Sequence, residues 1–553
     1  MFVRVKTTPN SPRKSVQLVE SVRVDGKVKQ KILRHIGIAL DDDEVQRLKE
    51  LGELVKAKLE AQHQSSLFSP EMTARQVLEA RRQQSEDEPI LVDLKLLREE
   101  QRVITGIHDI YGEIYQQLGF DRVLPASRFR ASNAALKDCV LARIANPDSK
   151  RATARLLEQD FGIHLPLEKI YRMMDQLDER RIDQLKTTIG TATRALLGGS
   201  LDVLFFDCTT LYFESFQEDD LKQNGYSKDC KFGQPQVLLA LMVSQEGLPV
   251  SYEVFPGATF EGHSLIPVLE ELKRKYSLNR VVCVADRGML NEANLQALEA
   301  AGLHYIVGAK LKQLPQAQQQ KILDKDQYQT VAGSGERRFE LPHQQRRIVV
   351  SYCPKRADKD RHDREQSVQR LLKKIGKSQN PKSLLNNYGY KKFLTISGKT
   401  RLSVNEEKIA QAARWDGLHG VITNLPKKIS ADELFSHYRG LWQVEETFRI
   451  TKHDLKIRPI YHWTPRRVRA HIAIAFMALT AVRHLSYRTA LQYKRLSPQV
   501  IRNALCHVQH SVLRHKKTRK RYVIPSQFSP EAKKIYQLMG IKLSGAPYAL
   551  SDD

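Results

Sequence analysis

The chain has 553 residues, of which 41% are hydrophobic and 27% charged, as in ordinary soluble globular proteins. Its 89 lysines and arginines exceed its 63 acidic residues by 26 charges, which favours a polyanionic partner such as nucleic acid. The first residues lack the apolar core of a secretory signal, and the apolar stretch 472–482 is shorter than the ~20 residues of a membrane span, so we expect a cytoplasmic protein without membrane association. The six cysteines have no C-x-x-C spacing, so we expect neither a zinc module nor a disulfide framework.

The N-terminal third predicts a small β unit, a linker and a helical region. Residues 1–62 contain VQLVESVRV and KVKQKILRHIG around a turn at Asp25-Gly26, which predicts a β-hairpin, and a charged helical stretch follows. The polar segment 63–96 predicts a linker. Residues 97–200 have a helical pattern with breaks at Asn146-Pro147 and near Gly162, and form a candidate DNA-binding region. Within it, RATARLLEQDFG and PLEKIYRMMDQL form either a helix–turn–helix or an ordinary helical pair.

A strand-like period begins at residue 201. Three apolar segments (LDVLFFDCTTLYF, PQVLLALMVSQ, LPVSYEVFPG) predict an antiparallel meander, and 201–311 then continues with helix, strand, helix and strand. We interpret 312–413 as a β-rich insertion, and 414–495 as the return of the core with GLHGVITNL and two long helices, about 431–455 and 465–491. Residues 496–553 form a basic C-terminal region with HKKTRKR at 515–521. This order predicts an α/β fold with a ribonuclease-H-like mixed sheet.

Two aspartates lie at positions that favour a functional role for a carboxylate. Asp207 lies within an apolar strand and, by alternation, shares a face with Val203, Phe205, Thr209 and Leu211. Asp286 directly follows the strand RVVCVA, at the carboxyl edge where α/β sheets bind ligands. The ordinary alternatives are a salt-bridged or bulged Asp207 and a turn-forming or helix-capping Asp286.

A third carboxylate, Glu445, lies in the predicted helix 431–455, which begins with a capping box of Ser430 and Glu433. We predict that its inward stripe contains Leu434, Tyr438, Leu441, Trp442, Glu445 and Phe448, whereas Glu446 is rotated about 100° toward solvent. Arg449 could pair with Glu445 four residues away. We favour a divalent metal, because two other isolated carboxylates need the same explanation.

Tyr438, Glu445 and Lys452 are seven residues apart, so in one straight helix they would project from nearly the same side. A phenol, a carboxylate and an ammonium in a row suit a surface that follows a phosphodiester backbone. Trp442 is either a core residue, as we expect, or a platform on which an unpaired base stacks.

These segments together resemble DDE-class bacterial insertion-sequence transposases. The resemblance is to the branch whose last catalytic helix carries Tyr–x2–Arg–x3–Glu–x6–Lys, the insertion-sequence-four superfamily, and it covers about 200–490 and, more loosely, the N-terminal hairpin. Tyr438, Glu445 and Lys452 match this signature, whereas Leu441 stands where arginine is expected, with Arg439 and Arg449 nearby. LFFDCTTLYFE and VVCVADRGM resemble the two aspartate blocks.

The resemblance implies a DNA transposase in which Asp207, Asp286 and Glu445 hold two Mg²⁺ or Mn²⁺ ions. Water would first free a 3′-hydroxyl at the element's end, and that hydroxyl would then attack target DNA. Tyr438, Arg439, Arg449 and Lys452 would contact double-stranded DNA, and the pairing of two ends implies a homodimer. The alternatives are a ribonuclease-H-like nuclease or resolvase without strand transfer, and an inactive DNA-binding relative.

Overall fold

The computed structural model describes most of the chain: residues 2–7, 14–24, 27–39, 42, 44–46, 48–49, 51–53, 91–199, 201–227, 233–276, 282–289, 291–331, 333, 335–377, 393–397 and 401–550. At the N-terminus, three antiparallel strands form a small sheet in the order β1-β2-β3: β1 Phe2–Thr7, β2 Lys14–Val24 and β3 Lys27–Ala39. Val24 pairs with Lys27, which confirms the predicted hairpin, although its turn residues 25–26 lie outside the described residues. Most of the predicted linker (residues 63–90) also lies outside them.

The region predicted to be helical from residue 97 begins instead with a strand, β4 (Leu97–Ile104). Its partner is a C-terminal strand more than 400 residues away, so the local pattern of LREEQRVI could not reveal it. Five helices follow: α1 Gly106–Gln117, α2 Ala126–Ala145, α3 Lys150–Phe161, α4 Leu167–Gln176 and α5 Glu179–Leu196. The break after α2 at Asn146 and the left-handed Gly162 after α3 confirm the two predicted interruptions.

A nine-stranded mixed sheet forms the centre of the molecule. Strands β5, β6 and β7 form the predicted antiparallel meander, and β8 and β9 add to β5 in parallel; their bounds are β5 Val203–Tyr212, β6 Gln236–Ser244, β7 Pro249–Pro256, β8 Val282–Ala285 and β9 His304–Gly308. The helices between them are α6 Leu265–Tyr276 and α7 Glu292–Ala300. This arrangement confirms the ribonuclease-H-like core.

The region interpreted as an insertion is partly continuous with the central sheet. The full strand order is β10-β11-β12-β15-β9-β8-β5-β6-β7, with β10 Gln329–Thr330, β11 Arg337–His343, β12 Arg346–Tyr352 and β15 Leu418–Thr423. The region also contains α8 Gln316–Leu323, α9 Pro354–Lys377, α10 Glu406–Ala413 and the separate hairpin β13 Leu394–Ser397 and β14 Arg401–Val404. The predicted insertion thus contributes three strands to the central sheet, and the boundaries of the predicted domains stay predictions.

The predicted helix 431–455 is interrupted. It consists of α11 (Ala431–Arg439), a turn at Gly440 and Leu441, α12 (Trp442–Arg449) and a π-helical turn at Ile450–Asp454. Ser430 caps α11 by accepting from the Glu433 amide at 3.1 Å, which confirms the predicted start.

The second long helix, α13 (Pro465–Gln492), is apolar and long enough to cross a membrane by length and composition, but 94% of its most apolar window is buried inside the protein. It is the core helix against which the helical region and one face of the central sheet pack. The chain ends with α14 Pro498–Cys506, β16 Gln509–His515, β17 Arg521–Pro525, α15 Pro530–Met539 and β18 Tyr548–Leu550. Strand β4 joins the last three strands in a four-stranded sheet, in the order β18-β17-β16-β4.

Candidate active site

Asp207 and Asp286 lie next to each other on neighbouring parallel strands. In the register of β5 and β8, Phe206 pairs with Ala285, and the two aspartates are the next residues along each strand. Adjacent strands lie about 4.8 Å apart, so the two backbones bring these carboxylates close together at the carboxyl end of β8. Asp207 is half-buried and accepts from the Cys208 amide at 2.7 Å, whereas Asp286 is exposed.

The two aspartates also share a face of the sheet. Val203, Phe205 and Leu211 of β5 belong to one hydrophobic core, and the alternate residues Leu204, Phe206 and Cys208 belong to the core on the other face. Because successive strand residues point to opposite faces, Asp207 lies on the first of these faces, as the sequence predicts. The same alternation along β8 puts Asp286 on the side of Val284, which lies in that first core.

Helix α11 covers this face and delivers Tyr438 to Asp286. The Tyr438 hydroxyl donates to Asp286 Oδ1 at 3.4 Å. Burial, together with the nearby Asp286 carboxylate, raises the pKa of Tyr438 to about 12, so the phenol keeps its proton. Gly308 of β9 makes room for it: a Cβ at this position would lie 2.3 Å from the Tyr438 hydroxyl. Tyr438 therefore fixes the Asp286 carboxylate by a hydrogen bond from the covering helix.

The turn at Gly440 lets the next helix approach β5 closely. A Cβ on Gly440 would lie 2.3 Å from Phe205 Cζ, so only glycine fits this contact without displacement. The neighbouring helix α12 packs Val444 and Phe448 into the same core as Phe205. Glu445 is thus carried on a helix that lies against the aspartate-bearing face of the sheet.

The predicted orientation of α12 was wrong in two places. Glu445 is exposed, whereas Glu446 is partly buried, 3.4 Å from Arg483 and 2.9 Å from Arg495. Trp442 is 45% exposed rather than a core residue, and the Arg495 guanidinium lies 5.4 Å from its ring centroid. The turn at residues 440–441 breaks the single helical period on which the predicted inward stripe depended. Val444 and Thr447 take the buried positions instead.

The predicted partner of Glu445 is engaged elsewhere. Arg449 pairs with Asp454 at 3.3 Å, and across the described ranges no cation lies within ion-pair distance of Glu445. Arg439 is exposed, with Glu336 at 3.7 Å, and Lys452 is half-buried on the π-helical turn. Because the helix is interrupted and ends in a π turn, the spacing of seven no longer aligns Tyr438, Glu445 and Lys452 by itself.

The three carboxylates supply oxygen ligands, the type that Mg²⁺ and Mn²⁺ prefer. In the part of the chain that the structure describes, no three His, Cys, Asp or Glu side chains are close enough together to hold one ion. The structure therefore places Asp207 beside Asp286 and carries Glu445 on a helix that covers the same face of the sheet. The three carboxylates are not close enough together to hold one ion.

A cleft of about 930 Å³ opens beside Asp286 and Tyr438. Its far wall is α9, which is fixed to the turn before β15 by an ion pair between Arg364 and Asp416 and by a bond from the Gly417 amide to Asp360 Oδ2 at 3.0 Å. Five cationic side chains line it: Arg287, Lys310, Lys312, Arg356 and Arg364. Sequence reasoning missed these residues as part of the site, although the highly charged segment KRADKDRHDREQ, which contains Arg356 and Arg364, was the available signal.

Two family models match the chain. The model described as "Transposase DDE domain" matches residues 198–481, half of the chain, and includes both aspartates and the helix that carries Glu445. The model described as "IS1634 family transposase, N-terminal domain" matches residues 2–66, which include the three-stranded N-terminal sheet. No match was found among curated proteins.

Solved structures of other transposases are distantly similar to the chain. The cryo-EM structure of a piggyBac transposase synaptic complex with hairpin DNA is 9% identical, with a TM-score of 0.38, covering 73% of this chain and 78% of that one. The crystal structure of a pre-cleavage Mos1 transpososome is 14% identical, with a TM-score of 0.14, covering 29% and 54%. These likenesses are too distant to add to the family match, and on that match the chain belongs to the DDE transposase family, with an N-terminal domain of the IS1634 transposase type.

Proposed function

We propose that Asp207, Asp286 and Glu445 are the catalytic carboxylates of this transposase, and that they cut DNA at the ends of an insertion sequence and join the freed 3′-hydroxyl to target DNA. The observation that carries the proposal is the register of β5 and β8, which pairs the two aspartates on the face covered by the helix of Glu445.

The donor set fits Mg²⁺ or Mn²⁺, and the proposal assigns two such ions to these residues. Asp207 and Asp286 would be the primary ligands, and Glu445, which has no cationic partner among the described residues, would complete the set from α12. When bound, a pair of divalent ions stabilises the charge on the attacking and leaving oxygens of an in-line displacement.

The surrounding residues have separate tasks. Tyr438 orients Asp286 through its hydroxyl, and its raised pKa keeps it a hydrogen-bond donor at neutral pH. The cations of the cleft, such as Arg287 and Lys310, offer positive charge beside Asp286 to DNA phosphates. Arg439, Arg449 and Lys452 would extend this contact along the element's end, with Arg439 or Arg449 replacing the arginine that Leu441 lacks.

The proposal also covers the superfamily, the partner, the oligomeric state and the location of the protein. The match of Tyr438, Glu445 and Lys452 to the signature supports membership of the insertion-sequence-four superfamily. Double-stranded DNA is the proposed partner, supported by the net charge of +26. A homodimer would hold the two ends together. The proposal also includes a cytoplasmic location, since the six cysteines have no C-x-x-C or disulfide-framework spacing.

The test compares Asp207→Asn with Asp202→Asn, an exposed aspartate just before β5, on duplexes that carry the DNA ends flanking the gene of this chain. With Mg²⁺ or Mn²⁺ present, we expect Asp207→Asn to abolish cleavage while it still binds DNA, and Asp202→Asn to cleave like the unmodified protein. Retained cleavage by Asp207→Asn would remove this residue from the site. Joining of labelled ends to a second duplex distinguishes a transposase from a nuclease, which yields hydrolysis products alone.

A further inference from the structure

The turn that joins β16 to β17 is a compact cluster of positive charge. Its five residues, Lys516 to Lys520, have the sequence KKTRK, and all five are exposed. We call this segment the basic turn. It lies in the C-terminal four-stranded sheet, and no catalytic role has been assigned to it.

The backbone of the basic turn is fixed by its own hydrogen bonds. His515 Nδ1 accepts from the Thr518 amide at 3.0 Å, and the Thr518 hydroxyl lies 2.9 Å from the same nitrogen. The Arg519 amide donates to the His515 carbonyl at 3.0 Å, and the His515 amide donates to the Lys520 carbonyl at 2.9 Å. A bond of 2.8 Å from the Lys516 amide to the Leu96 carbonyl ties the turn to the residue just before β4. The four cationic residues therefore project from a turn whose backbone is held by hydrogen bonds.

The arginines at the ends of the adjoining strands have an acidic partner within the protein, whereas the cations of the basic turn have none among the described residues. Arg514 of β16 and Arg521 of β17 both pair with Glu100 of β4, at 3.4 and 2.8 Å. In the chain as far as it is described, no carboxylate lies within ion-pair distance of Lys516, Lys517, Arg519 or Lys520. Like charges held close together repel one another and disfavour the folded state. Four such charges on a fixed turn suit an external polyanion.

We propose that the basic turn binds the phosphate backbone of duplex DNA without reading its sequence. The inference rests on the proposed function, because DNA is the polyanion that this enzyme handles. Three of the four cations are lysines, which act as point charges toward phosphate. The turn has no asparagine or glutamine to read base edges, and its one hydroxyl, Thr518, is engaged with His515. The contact adds affinity and leaves recognition of the element's end to other surfaces.

The experiment measures the salt dependence of binding to a fluorescein-labelled 30-base-pair duplex of arbitrary sequence. The test variant is Lys516→Ala with Lys517→Ala, and the matched control is Lys533→Ala with Lys534→Ala, an adjacent pair of exposed lysines on α15. Each phosphate contact contributes about 0.9 to the slope of log K against log salt, so we expect the test variant to lower the slope by about 1 to 2 and the control to leave it unchanged. Lys516→Arg with Lys517→Arg should keep the original slope.

Three results would overturn the proposal: an unchanged slope in the test variant, an equal loss in the control, or a larger loss on the element's own ends than on the arbitrary duplex. Removing repelling charges should leave the melting temperature equal or higher, so a lower one would show a structural role instead. If the unmodified protein cleaves its ends but the test variant keeps its slope, only the basic-turn proposal fails. If the unmodified protein neither binds nor cleaves DNA, the proposed function fails with it.

Discussion

Glu445 and Glu446 are adjacent residues with opposite surroundings. Glu445 is exposed on the side of α12 that has no cation within reach in the described chain, whereas Glu446 faces Arg483, a guanidinium that is only 3% exposed. Burial lowers the pKa of Arg483 to about 10, and its remaining bonds go to Gln443 and to the backbone around Gly247. A buried cation of this kind depends on its acceptors, so Glu446 has a structural role, whereas Glu445 is the carboxylate that we propose as catalytic.

This difference predicts two distinct defects. Glu445→Gln should abolish cleavage and leave the free energy of unfolding unchanged. Glu446→Gln should lower the free energy of unfolding by about 1–3 kcal/mol, because a neutral amide replaces the charged acceptor of Arg483, and should retain cleavage at temperatures where the protein is folded. Urea denaturation and end cleavage, measured on both variants, check this. Loss of cleavage in folded Glu446→Gln, or full activity in Glu445→Gln, would reverse the assignment.

At the scale of elements, the contact between Gly440 and Phe205 sets the distance between helix and sheet. A methyl group at position 440 would lie 2.3 Å from Phe205 Cζ, closer than two carbons can approach, so the helix or the ring must move. Because Tyr438 and Glu445 lie on either side of this glycine, its displacement moves both of them relative to the aspartates.

We therefore expect Gly440→Ala to lower the free energy of unfolding by about 1–3 kcal/mol and to slow cleavage more than it weakens DNA binding. Adding Phe205→Leu, which shortens the opposing side chain, should restore part of both losses, and a double-mutant cycle measures that coupling. Gly233→Ala serves as control, because a Cβ there meets no atom within 4 Å. Additive effects of the two substitutions would mean that this contact does not set the approach of the helix.

At the scale of the whole molecule, three histidines are kept neutral where the helical region meets α13; His471 and His484 are buried, and His462 is half-buried. Burial lowers the pKa of His462 and of His484 to about 3, and that of His471 well below its ordinary value. His471 Nε2 lies 2.9 Å from the Ile457 carbonyl, and His484 Nε2 lies 3.2 Å from the Thr193 hydroxyl. The Nδ1 atoms of His471 and His484 are buried without a hydrogen-bond partner. A proton added to either nitrogen would find no acceptor.

Acid should therefore destabilise the protein well above the range in which carboxylates titrate. Below about pH 6.5 the unfolded chain binds protons on these histidines and the folded chain does not, so stability falls as pH falls, by about 1.4 kcal/mol per pH unit for each histidine. We expect the melting temperature to drop between pH 7 and 5, and His484→Gln to make that drop shallower. His362→Gln, an exposed position on α9, is the control. A melting temperature independent of pH in this window would contradict the prediction.

The sequence by itself determined the features that follow from short periods and local chemistry. Alternation along β5 identified the face on which Asp207 lies, the strand–turn transition located Asp286, and Ser430 marked the start of α11. The meander and the two strands β8 and β9 that follow it were also predictable, because strand periods and the lengths of connections depend on neighbouring residues alone.

Only the tertiary structure decided the features that depend on distant partners. Strand β4 pairs with β16 across more than 400 residues, and β11 and β12, within the predicted insertion, extend the central sheet. The orientation of Glu445 and Glu446 changed because Gly440 breaks the helix where it meets Phe205, and Arg483 fills the space beside Glu446. A helical period predicts one straight helix, whereas the actual path of the chain is set by the surface against which it packs.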